Sequence, residues 1–375
     1  MNFAGEPRVL TLGNTLDADL EETPQSAAVF VIHPREGSPF IARTGLLRRR
    51  LKRMLRVTAQ PSRVLSLRTV AERVEYWPVA SRLESSLALW DVARRYAPEE
   101  YPAILRLRFP SYVKLVLGNE FPRTHVTTKL AGSTGRFYGP FRTKASAEEF
   151  EHQFLDLFQL RRCQEDLAPA SDHPGCMYGE MSMCLRPCQQ VVGPEEYASE
   201  AQRVTDFLLT GGRQLLMTAE AARDRLSAEL EYEAAAREHK RIARIQQVLK
   251  MRDELVADVE NLHGVAITPS LEAHVVLMWF VIESVWQSPI PFSLALADQT
   301  ASMDRRVKDI VSQLQPVKAA HRERQEHLAM LARWFYSTWR DGQWVAIPDL
   351  GAAPYRRIIG AISKTAQESG AHHSL

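Results

Sequence analysis

All four cysteines of this 375-residue chain fall between Cys163 and Cys188, at spacings C-x12-C-x7-C-x3-C. Pro174-Gly175 precedes the second cysteine and Pro187 adjoins the fourth, so the segment reads as loop rather than helix or strand. Four thiolates converging there can hold a tetrahedral zinc or an iron-sulfur cluster. Two disulfides or four unrelated core cysteines are the alternatives. Disulfides suit poorly a chain with no secretory start, because its thiols stay reduced.

Composition constrains less. A mass of 42.5 kDa with 45% apolar residues allows two or three cores. The formal net charge of +2 is too small to imply nucleic acid by itself, so that case rests on where the cations sit. The first residues lack a basic start followed by an apolar core. The longest apolar run, Val275 to Ile282, is far short of the roughly 20 residues of a membrane span. A cytoplasmic protein with no membrane attachment is expected.

Along the chain, residues 1–25 are polar and turn-rich and read as a leader with little core. The apolar run 27–32, a Pro-rich turn at 34–39 and a second run at 40–42 signal a hairpin. Leu47, Leu51, Met54 and Leu55 then recur at helical spacing among Arg48, Arg49, Arg50, Lys52, Arg53 and Arg56, which predicts an amphipathic basic helix. With Arg43, these place seven cations in fourteen residues, enough for a phosphate footprint on DNA; a solvated helix face is the plain alternative. A strand at 73–79 and a helix at 81–96 complete a small α/β unit. Two strands around Gly118-Asn119 follow, then a helix at 146–160 whose Phe150, Phe154, Leu157 and Phe158 make a core stripe. Pro194 starts a helix that Gly211-Gly212 ends. Residues 213–260 lack proline and glycine and predict a helical hairpin broken at Tyr232-Glu233. Residues 272–294 read as a β-hairpin and 302–340 as helix, with His321, His327, His372 and His373 at the surface.

Several of these stretches resemble the UvrC excinuclease family: GRFYGPF (135–141), the four cysteines, CLRPC, and the helix start at 194–197. The resemblance implies that Cys163, Cys176, Cys184 and Cys188 bind a 4Fe-4S cluster, with zinc as the alternative. The unit at 26–108 is similar to the GIY-YIG nuclease domain that opens UvrC proteins, yet its active residues have changed. Phe30 and Phe40 stand where the family has tyrosines, and neither has a hydroxyl to relay a proton. Arg50 matches the arginine that faces the scissile phosphate. Leu89 stands at the metal-binding glutamate, and an alkyl group cannot hold a hard cation. Glu84 and Asp91 lie at offsets that turn them away from that position on a helix. No catalytic magnesium is therefore expected. The run 230–242 resembles the UVR motif that docks UvrB and UvrC, keeping Leu230, Tyr232, Glu233, Ala235, Ala236 and Ile242 but carrying His239 and Lys240 in place of its Arg-Asp pair. Packing within its own domain is the plain alternative for that hairpin.

The sequence thus predicts an α+β protein: a polar leader (1–25), a degenerate GIY-YIG unit (26–108), a cysteine-rich module (109–192), a helical region with the UVR motif (193–262) and a small α/β region (263–375). The expected function is a DNA-binding repair protein, with DNA and a UvrB-like subunit as partners. A divergent endonuclease and an iron-sulfur redox regulator are the alternatives.

Overall fold

In the computed structural model, the described residues are 2–12, 16–55, 67–68, 70–131, 135–295 and 301–372. The predicted hairpin is present as β2 (Ala28–Pro34) and β3 (Phe40–Thr44), following β1 (Arg8–Thr11) and α1 (Leu16–Glu22) and leading into α2 (Leu47–Met54), β4 (Ala71–Pro78) and α3 (Arg82–Tyr96). The strands form an antiparallel sheet in the order β1-β4-β2-β3. Because β2 is covered on both faces, it reads as an unbroken apolar run. Ala28, Phe30 and Ile32 point towards Leu47, Leu51 and Met54 of α2. Val29 and Val31 point the other way, towards Leu83 and Leu87 of α3. Ser81 caps α3 by accepting from Glu84 N at 3.0 Å, while the Glu84 carboxyl oxygen accepts from Ala80 N at 2.7 Å.

The expected leader has a substantial core. Phe3 is 4% exposed, its N–H and that of Ala4 donate to Asp91 Oδ2 at 3.0 and 3.1 Å, and β1 pairs with β4. One aromatic residue in a polar stretch carries no periodic signal, and edge pairing through backbone is invisible in side-chain pattern.

After α4 (Tyr101–Leu105), a second sheet orders as β6-β5-β7-β8 from β5 (Ser111–Val116), β6 (Arg123–Thr127), β7 (Gly135–Phe141) and, much later, β8 (Ala257–Asp258). Its core is aromatic. Phe150 and Phe154 of α5 (Lys144–Leu155) stack at 5.6 Å, and Phe154 stacks on Phe207 at 5.6 Å. The cysteine loop, including α6 (Met177–Glu180), leads to α7 (Pro194–Thr210), which carries Phe207 and so shares this core across the expected boundary at 192. At its end Gly211 takes φ 57°, the left-handed cap that glycine adopts most readily, and Gly212 N donates to Phe207 O at 2.8 Å. α8 (Arg213–Ala228) and α9 (Tyr232–Lys250) then form the predicted hairpin, broken slightly earlier than expected, at Glu229–Glu231, with Leu230 at φ 62°.

The third sheet orders as β11-β10-β9-β13, with β12 also on β10, from β9 (Gly264–Pro269), β10 (Val275–Ile282), β11 (Val285–Trp286), β12 (Ile290–Ser293) and β13 (Gln343–Ala346). The single helix expected at 302–340 is two, α10 (Met303–Ser312) and α11 (His321–Phe335), separated by a stretch containing Pro316; α12 (Tyr355–His372) was not anticipated. One face of β10 packs Met278 and Phe280 with Val307, Ile358 and Ile362. The other packs Trp279 with Trp286, Leu328 and Trp334, and continues without interruption into the α3 side of the first sheet. Polar contacts fix that junction. Trp90 Nε1 and Tyr101 OH both donate to buried Glu326 at 2.9 Å, and Arg82 N donates to Asp341 Oδ2 at 2.6 Å. His327, expected at the surface, is 1% exposed beside Trp90 and accepts at Nδ1 from Trp286 N at 3.0 Å. Burial, with Arg94 nearby, pushes its imidazole down to about 3, so it is neutral. His321 is exposed, whereas His373 and the side chain of His372 lie outside the described residues.

Candidate functional site: the cysteine loop and two basic surfaces

The cysteine loop is held from beneath by Arg161, only 2% exposed. Its guanidinium donates to Phe121 O at 2.9 Å, Glu165 O at 2.8 Å and Cys163 Sγ at 3.4 Å. Arg186 N donates to Cys184 Sγ at 3.4 Å, and Cys188 sits in a tight turn between left-handed Arg186 and Gln190. All four thiols are free; Cys184 and Cys188 are buried, Cys163 half-buried and Cys176 exposed. Burial pushes the Cys184 thiol up to about 11, and the thiols of Cys163, Cys176 and Cys188 act in the same direction. Burial also raises Cys188, and Cys163 and Cys176 add to that rise, so Cys184 and Cys188 lie within electrostatic reach of the other sulfurs of the loop. Among the described residues no three His, Cys, Asp or Glu side chains are gathered as a ready metal cage. The donor set fits a thiolate-bound group, since Arg161 and the Arg186 N–H already direct positive charge at sulfur.

The basic residues divide between two faces of the first sheet. On the α2 face, Arg48 Nε donates to Thr23 O at 2.6 Å and Lys52 forms an ion pair with Glu21, which holds the Glu21 carboxyl below its usual range. Arg49 and Arg53 are exposed and Arg50 is half-buried; none of the three forms a salt bridge among the described residues. Arg56 lies outside the described residues. Phe30 and Phe40 belong to this face, their rings 6.1 Å apart.

Leu89, 7% exposed, belongs to the opposite face. So does Arg43, paired in register with Val29. The residues matching the nuclease site are thus split: Phe30, Phe40 and Arg50 lie with α2, and Leu89 lies with Arg43. Over Leu89 opens a cleft of about 830 Å³ where the first sheet, the second sheet and α11 meet. Arg43, Arg106, Arg108, Arg142 and Arg333 line it, and among the described residues no carboxylate does. Arg43 Nη1 donates to Ser86 Oγ at 3.1 Å. Although one side of Arg43 meets water, the protein packed around the rest, with Arg333 and Arg82 nearby, disfavours its charge. Sequence reading missed four of these arginines, because their convergence depends on three separate units; Arg106-Leu-Arg-Phe-Pro was the one local hint.

The residues matching the UVR motif also divide. Ile242 is 4% exposed and packs with Ala219 and Ile245 inside the hairpin. Leu230 and Tyr232 are each 67% exposed at its tip, Glu233 and Ala236 are exposed and Ala235 is half-buried.

Residues 111–207 match the UvrC/Cho excinuclease middle domain. The UvrABC system protein C of Lachnospira eligens is 21% identical over 293 residues, covering 77% of this chain and 48% of that protein. That of Moorella thermoacetica is 23% identical over 266 residues, covering 71% and 43%, and that of Carboxydothermus hydrogenoformans 25% over 242, covering 63% and 39%. The chain spans less than half the length of these curated relatives. No solved structure matches. No helix among the described residues is long and apolar enough to cross a membrane.

Proposed function

Since the chain is a member of the UvrC family, we propose that it serves nucleotide excision repair as a DNA-binding protein whose nuclease-like unit does not cut. The observation that carries this reading is Leu89. The position that matches the family's metal-binding glutamate presents an alkyl group to a cleft ringed by guanidinium groups, with no carboxylate in its lining among the described residues. A divalent cation needs oxygen ligands and is repelled by such a wall. Phe30 and Phe40 lack the hydroxyls for proton relay and pack against each other on the far face.

Two further assignments belong to the same reading. Cys163, Cys176, Cys184 and Cys188 hold a 4Fe-4S cluster, with zinc as the alternative; either would supply a structural staple for the loop. Leu230 and Tyr232, exposed at the tip of the 213–260 hairpin, dock a UvrB-like subunit. Anaerobic purification with metal analysis tests the first: about four irons per chain are expected, stoichiometric zinc would replace the cluster, and no bound metal would remove both. A DNA-nicking assay on the same sample with Mg²⁺ or Mn²⁺ tests the reading as a whole, and metal-dependent nicking would overturn it.

A further inference from the structure

We propose that the cleft over Leu89 binds one unpaired nucleic-acid strand, its phosphates held directly by arginine with no divalent cation. This rests on the DNA-binding reading above and adds to it a site, a strand form and a metal independence.

The cleft gathers positive charge from distant parts of the chain. Arg43 comes from β3, Arg106 and Arg108 from the irregular stretch after α4, Arg142 from the residue after β7 and Arg333 from α11. Five like charges brought together by long-range folding repel one another, and Arg43 already feels Arg333. Among the described residues none of the five forms a salt bridge and no carboxylate lines the cleft; Asp253, behind Tyr336 at the wall, leaves most of this charge unanswered. An anion with several separated charges relieves that repulsion. Phosphates along a strand match it, because a guanidinium donates a planar pair of N–H groups to phosphate oxygens.

The apolar part of the lining points to a strand as well. Phe109, next to Arg108, is 42% exposed, and half-buried Tyr336 stands beside it in the lining, while Phe141 beneath them is 2% exposed and belongs to the core of the second sheet. Cations beside an accessible ring are the arrangement by which single strands are held, the backbone following the charge and a base stacking on the ring. In a duplex the bases are stacked already and leave Phe109 without a partner. The concavity points the same way, since an opening enclosed by three structural units admits a single strand more readily than a double helix.

The test is fluorescence anisotropy of the full chain with a labelled 12-nucleotide oligothymidylate in EDTA. Binding is expected, unchanged when Mg²⁺ replaces EDTA. Arg108→Glu with Arg333→Glu should weaken it by roughly tenfold or more, since each reversal removes a phosphate contact and adds repulsion. Phe109→Ala should weaken it by roughly fivefold or more through lost stacking. Arg108→Gln alone serves if the double variant fails to fold, and a several-fold loss is then expected. Wild-type affinity in a folded cleft variant would overturn the proposal, as would binding that EDTA abolishes. Complete displacement by millimolar thymidine monophosphate would assign the cleft to a small phosphate ligand and overturn the strand. If duplex DNA binds through Arg48, Arg49 and Lys52 while the oligothymidylate does not bind, the cleft proposal falls and the DNA-binding reading stands. Failure to bind DNA in either form removes both.

Discussion

The two faces of the N-terminal sheet carry similar numbers of arginines and treat them differently. On the α2 face the cations come from one short helix, and α1 with the residue after it answers two of them: Lys52 through Glu21, Arg48 through the Thr23 carbonyl. On the α3 face they come from residues as far apart as Arg43 and Arg333, and no acid in the lining answers them. A dense basic run in sequence therefore marks a helix whose charge is partly compensated at home. Scattered arginines that fold into one concavity have no acid beside them in its lining among the described residues. What separates a solvated face from a phosphate site is the supply of nearby carboxylates, and only the folded chain reveals it.

The comparison breaks first on catalysis. Incision of damaged or undamaged duplex by the wild type should be absent with Mn²⁺, even beside a UvrB-type subunit. Leu89→Glu alone should not restore it, because Phe30 and Phe40 lie across the sheet from that position. Nicking that Arg50→Ala abolishes would show instead that the α2 face retains a working site.

A large stability effect should single out the cleft. Glu326→Ala removes the acceptor shared by Trp90 and Tyr101 and leaves two buried donors unpaired, a loss of about 3 kcal/mol in urea unfolding. Oligonucleotide binding at the cleft should weaken with it, because α11 supplies Arg333. An unaltered unfolding midpoint would mean that α3 and α11 are not joined through this carboxylate.

The pH dependence of the two faces should also differ in sign. Burial raises Glu84, at the start of α3, from 4.5 to about 7, with Asp341 adding to the rise. The folded state then holds a proton that the unfolded chain releases, so this stabilisation is complete below about pH 4.5 and is lost as pH rises through about 7. Glu84→Gln should match the wild type at pH 5 and be more stable at pH 8, by about 2 kcal/mol. Glu21 on the α2 face is shifted downwards by Lys52, so any contribution from it would be lost on acidification. Identical pH profiles for wild type and Glu84→Gln would remove the contrast.

The smallest effect is expected from α2 itself. Charge reversal at Arg48, Arg49 and Lys52 should weaken duplex binding several-fold for every sequence alike and flatten its salt slope by about two. Unchanged duplex affinity would leave α2 a solvated face and the cleft as the remaining basic site.

Much of this arrangement was legible before folding. The β2–β3 hairpin, α2 and α3 each announce themselves by period, and Gly211-Gly212 by its chemistry. Local rules could not place His327: the run His321-Arg-Glu-Arg-Gln-Glu-His reads as solvated, and Trp286, 41 residues away, buries it. Phe3 and β1 failed for a related reason, since their partners, Asp91 and β4, lie far along the chain. The cleft was the least legible part, as no spacing rule connects Arg106 with Arg333.

The hydrogen bond from Trp90 to Glu326 joins residues 236 positions apart, within a core that also contains Phe3 and Trp334. During synthesis at roughly 5–20 residues per second, α3 leaves the ribosome on the order of ten seconds before α11. Through that interval Leu87 and Trp90 lack the surface that covers them in the finished molecule. The N-terminal sheet can close over α2 early, but its α3 side stays open until the C-terminal helices arrive. Such delayed, long-range closure slows folding and gives a chaperone an apolar surface to hold.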